Sequence, residues 1–73
     1  MKQEKKIAKN RLREFRIFPN KTSQWQLALD SNVRQSRISL IENFLVTPSA
    51  REKILLSTAL KKEMEDIFPK NEH

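Results

Sequence analysis

Five side chains in one short stretch have the chemistry to read the edge of a base pair. Gln35, Arg37, Ser36 and Ser39 carry groups that hydrogen-bond base edges in the major groove, and Leu40 offers an apolar surface for a thymine methyl. At about 100° per residue, Ser36, Ser39, Leu40 and Asn43 fall on the side opposite Ile38 and Ile41. Gln35 and Arg37 flank that side. A helix with this pattern packs two isoleucines beneath and presents hydrogen-bonding groups outward, as a recognition helix must. The plainer reading of the same residues is a solvated helix face with one scattered exposed leucine.

Other chemistries find little support. The chain has 73 residues and no cysteine, so disulfides and thiolate metal sites are excluded, and a reducing, cytoplasmic setting is expected. Glycine is absent, which removes the glycine-rich phosphate loops of nucleotide-binding proteins. The lone histidine, His73, has no ligand partners nearby, so no metal and no cofactor is expected. Glu63, Glu65 and Asp66 read as a solvated turn and not as an acid/base pair, so catalysis is not expected. No apolar run is long enough to span a bilayer, and MKQEKKIAKNRLREF lacks the apolar centre of a secretory signal.

The formal net charge is +6, and all of it lies in residues 1–21. Lys2, Lys5, Lys6, Lys9, Arg11, Arg13, Arg16 and Lys21 stand there against Glu4 and Glu14, whereas charges cancel from residue 22 onward. A polyanion suits such a region, and nucleic acid is the commonest one; a solvated helix face or tail gives the same pattern.

The elements that must position these groups are short helices. Ala8, Leu12 and Phe15 share one face, giving a first helix over residues 5–17 that ends at Pro19-Asn20. Ser23-Gln24-Trp25-Gln26 is a capping box opening a second helix to about Asp30, and Asn32 suits a left-handed C-cap. A third helix runs from about Arg34 to Asn43. Thr47-Pro48 reads as N-cap and first residue of a fourth, with Ile54, Leu55, Leu56, Ala59 and Leu60 inward. Met64, Ile67 and Phe68 form a last short helix before Pro69, and residues 69–73 are expected to fray. No segment alternates, so no sheet is expected. The expectation is one all-α domain, a compact bundle of about five helices with its core over about 5–68.

The stretch Gln24 to Asn43 resembles the Cro/repressor family of helix-turn-helix DNA-binding proteins, the Xre or lambda-repressor-like type. That family's pattern, roughly T-Q-E-E-L-A-x-x-L-G-V-S-x-x-x-I-S-x-I-E-N-G, is met without a gap at Gln24, Gln26, Leu27, Ala28, Val33, Ile38, Ser39, Ile41, Glu42 and Asn43. The likeness continues through Pro48-Ser49 to Ala59, Leu60, Met64, Ile67 and Phe68, covering about residues 9–68.

The resemblance implies double-stranded DNA as the ligand, a helix-turn-helix over residues 23–43, a homodimer on two half-sites and a role as transcriptional regulator, most often a repressor in phages, plasmids and other mobile elements. It implies base contacts from Gln35, Ser36, Arg37, Ser39 and Leu40. Gln24 would lie near a phosphate and brace Gln35, with Asn43 and Thr47 also on the backbone. Lys21 and Lys9 add phosphate contacts from the basic region. Arg16 and Glu42 would form a structural ion pair.

Departures from the pattern mark what the structure must resolve. The inward leucine of the family is Ser31, for which Leu29 is a candidate substitute. The turn glycine is Asn32, and the N-cap serine of the third helix is Arg34, which cannot accept from an amide. The loop after the third helix, Phe44-Leu45-Val46, is apolar where backbone-binding loops are polar. It is either an extension of the core or a protein interface, as are the C-terminal helices. Two rival functions follow: an antitoxin-like protein-interaction module with secondary DNA binding, and a non-specific or RNA-binding protein driven by the basic N-terminus.

Overall fold

The computed structural model describes residues 9–69, which form five helices and, among the described residues, no strand. These are α1 (Leu12–Ile17), α2 (Gln24–Ser31), α3 (Gln35–Glu42), α4 (Ala50–Leu60) and α5 (Met64–Ile67). The all-α expectation is met. Residues 5–8 of the expected first helix, with Ala8, Lys2, Lys5 and Lys6, lie outside the described residues, as do residues 70–73 with His73.

Among the described residues the first helix begins later than the apolar spacing predicts. The Arg11 amide donates to the Ile67 carbonyl instead of serving a helical turn, and the Asn10 side chain accepts from the Leu12 amide. Both bonds fix a non-helical entry, and the start of α1 is thereby tied to the end of α5. Leu12 is then fully buried and Phe15 packs partly against the core.

Capping decides most other boundaries. Ser23 accepts from the Gln26 amide as expected, but the Gln26 side chain donates to Asp30 instead of reaching back. Asn32 takes the left-handed C-cap, with φ of 67°. Arg34 gives α3 no side-chain cap. The N-cap of α4 is Ser49 and not Thr47: Ser49 Oγ accepts from the Glu52 amide while Glu52 accepts from the Ser49 amide, a reciprocal pair that Thr47-Pro48 does not offer.

With no glycine available, left-handed corners fall to other residues. α3 closes with Phe44 at φ of 59°, the Phe44 amide donating to Ile41 and the Leu45 amide to Leu40. This is the double bond pattern of a Schellman cap with phenylalanine at the position glycine usually fills. Lys61, also at φ of 59°, closes α4 in the same way through its own amide and that of Lys62.

The core gathers Leu12, Leu27, Val33, Ile38, Ile41, Leu56, Leu60, Ile67 and Phe68. α2 packs on both α4 and α3, α1 on α3, and α4 on α5. Val46, Leu55, Ala59 and Met64 pack around this centre, whereas Ile54 is exposed and not part of the apolar face expected for α4. Ser31 is buried with its hydroxyl accepting from the Val33 amide, so the turn beneath α2 and α3 is satisfied by a hydrogen bond. Leu29 does not fill in for the missing leucine; it is exposed on the far side of α2. Among the described residues no helix is long and apolar enough to cross a membrane.

Candidate nucleic-acid interface

The position of α3 is set from below by apolar burial and from its C-terminal end by an ionic hub. Ile38 and Ile41 are fully buried. Glu42, 7% exposed, receives Arg16 through two bonds: Nε donates to Oε2 at 2.6 Å and Nη2 to Oε1 at 3.0 Å. The remaining Arg16 nitrogen, Nη1, donates to the Thr22 carbonyl at 2.9 Å. Gln24 Nε2 donates to the same Glu42 Oε1 at 3.0 Å. Arg16 and Glu42 together therefore join α1, the loop before α2, the first residue of α2 and the last residue of α3. Among the described residues no buried side-chain polar atom is left without a partner.

This hub is the pair expected of Arg16 and Glu42. It also changes the reading of Gln24, whose amide is committed to Glu42 and does not brace Gln35. Asn10, which sequence reasoning did not single out, adds a further tie by donating Nδ2 to the Ile41 carbonyl at 3.0 Å.

Held in this way, α3 presents Gln35, Ser36 and Leu40 as exposed residues, with Ser39 half-buried beside them. Asn43 is exposed at the end of the same side and donates Nδ2 to the Ser39 carbonyl, which stabilises the last turn. Four of the five candidate base-contacting residues therefore accompany one another on or beside the outward surface of α3.

Arg37 is placed differently. Its Nε and Nη2 each donate to Glu52 of α4 at 2.8 Å, so the guanidinium is turned toward α4 instead of standing with Ser36 and Leu40. The pair holds the Glu52 carboxyl below its ordinary range, chiefly through the Arg37 hydrogen bonds. Burial opposes that shift, and the Ser49 amide and the Arg37 charge reinforce it. The Arg37 guanidinium is raised in turn, first by the same hydrogen bonds. Ser49-Ala50-Arg51-Glu52 has the spacing of a capping box, and that is the sequence signal that marks Glu52.

The candidate phosphate contacts fall into two groups. Lys9 and Thr47 are exposed and line one small cleft with Lys53, Asn10 and Phe68. Lys21 is exposed in the loop between α1 and α2, at φ of 50°. Arg34, which the sequence marked only as a poor cap, is also exposed, one residue before Gln35. Phe44 and Leu45 are exposed and Val46 packs against the core, so of this apolar loop only Val46 extends the core. Among the described residues no cluster of His, Cys, Asp or Glu could hold a metal ion.

No protein-family model, curated protein or solved structure gives a significant match to this chain.

Proposed function

We propose that the protein is a sequence-specific double-stranded DNA-binding transcriptional regulator of the Cro/repressor helix-turn-helix type, with α2 and α3 as the motif and α3 in the major groove. The observation that carries this reading is the division of α3: Ile38, Ile41 and Glu42 are buried, whereas Ser36 and Leu40 are exposed on the other side and Gln35 is exposed at its flank. Gln35 and Ser36 would meet base edges, Leu40 a thymine methyl, and Ser39 would support them. Arg37 joins the base contacts only if Glu52 releases it.

Phosphate contacts from Lys21, Lys9, Thr47, Asn43 and the start of α2 at the half-buried Gln24 would orient the module and make affinity salt-dependent. The concentration of the +6 net charge in residues 1–21 favours a polyanionic ligand. A homodimer would bind two half-sites about one helical turn apart, and the exposed Phe44 and Leu45 are the apolar surface proposed for it. The same two exposed side chains favour the second reading, a protein-interaction module of antitoxin type with DNA binding secondary.

Selection of bound duplexes from a random pool tests the proposal. Enrichment of one motif, with two-fold symmetry if the protein dimerises, is expected. Recovery of unenriched sequence would leave a non-specific electrostatic binder.

A further inference from the structure

We propose that the outer side of α2 and the arginine-walled groove beside it form a docking site for an acidic protein segment carrying a bulky apolar side chain. Trp25 and Leu29 are 62% and 61% exposed, and they stand four residues apart, on one side of the helix. With Ala28 and Val33 they wall a mainly apolar groove that ends at Asn32, Arg34 and Gln35. Asn32, Val33 and Arg34 also wall the next groove, which continues to Arg37, Arg51 and Glu52. The two grooves adjoin at these residues, the first mainly apolar and the second lined by three guanidiniums.

The charge in the second groove is not balanced from within. Glu52 is the sole carboxylate among its lining residues, and both of its oxygens accept from Arg37. Arg34 and Arg51 are exposed and form no ion pair among the described residues. The start of α3 adds backbone N–H groups that Arg34 does not cap. Charge complementarity therefore calls for carboxylates at this end.

The other end selects the class of partner. Ala28, Leu29 and Val33 offer only aliphatic surface beside the indole of Trp25. A phenylalanine or leucine side chain would bury only apolar atoms there, whereas a nucleotide base would set polar ring edges against that aliphatic surface, with partners only at Asn32, Arg34 and Gln35. An acidic segment with such a residue satisfies both ends at once. The proposal does not depend on α3 meeting DNA.

Trp25 is the single tryptophan of the chain and reports on the site directly. A synthetic twelve-residue peptide with six Asp/Glu, one Phe and two Leu would be titrated into the full-length protein while its emission is recorded. A saturable blue shift is expected. Replacing the acids by Asn/Gln, or the Phe and Leu by Ser, should weaken binding at least tenfold. The Arg34→Glu/Arg51→Glu protein and the Leu29→Ser protein should do the same while keeping the wild-type helical circular dichroism. No saturable change with the first peptide, or equal binding of the Ser-substituted one, would overturn the proposal. So would a single-stranded oligonucleotide that saturates the Trp25 signal where the peptide does not.

Discussion

Arg16 and Glu42 meet as a buried, two-point ion pair, and through it the last residue of α3 is fastened to α1. Removing one member leaves the other charged and without its partner in a dry place, which costs about 3–5 kcal/mol. A domain of this size holds only about that much net stability. Arg16→Ala and Glu42→Ala should each therefore be largely unfolded in urea melts followed by circular dichroism. The double variant Arg16→Met/Glu42→Leu should be more stable than either, because it strands no charge. If the single variants melt like wild type, the pair does not hold α3.

The Arg37–Glu52 pair makes a separate, pH-dependent contribution. The Glu52 carboxyl is depressed in the folded protein, so its contribution is fully present above its unfolded value of about pH 4.3 and is lost as pH falls through the lower folded value. Both groups are partly open to solvent, so the effect is modest. Glu52→Gln should lower the urea midpoint at pH 7, and the gap to wild type should close on acidification through that window. A gap that stays constant with pH would show that the Glu52 charge is not responsible.

A glycine-free chain carries a conformational cost at its left-handed corners. Lys61 is exposed at φ of 59°, where a Cβ costs about 1–2 kcal/mol. Lys61→Gly should raise stability by about 1 kcal/mol, or Tm by about 4–8 °C for a domain of this size. Thermal melts check it. Phe44→Gly relieves the same corner but also deletes a ring, so its gain should be smaller.

Much of this arrangement is legible in the sequence because it depends on short-range patterns. The spacing of Ile38 and Ile41, the Ser23 cap and the Asn32 corner each need only a few neighbouring residues to be read. The Arg16–Glu42 pair spans α1 to α3 and came from the family pattern, not from spacing alone. What was missed depends on partners distant in the chain. The start of α1 is moved by the Arg11 bond to Ile67, and Arg37 is drawn off the outward side by Glu52. Ser31 departs from the leucine of the family pattern, yet a local bond from the Val33 amide satisfies it. Neither periodicity nor propensity reports which carboxylate an arginine will choose.

Salt should separate orienting contacts from reading contacts. Lys9 is exposed beside Thr47, so Lys9→Ala should weaken every duplex alike and make the slope of log K against log salt shallower by about 0.9. Anisotropy titrations at several salt concentrations measure this. An unchanged slope would remove Lys9 from the DNA interface.

The outward side of α3 is tested most directly by comparing the duplexes selected by wild type and by Gln35→Ala from the same random pool. Gln35 is exposed, so the variant should fold normally. The account predicts a motif that loses preference at one position per half-site, with affinity for the wild-type sequence reduced by about 1–3 kcal/mol. An identical motif at unchanged affinity would contradict it.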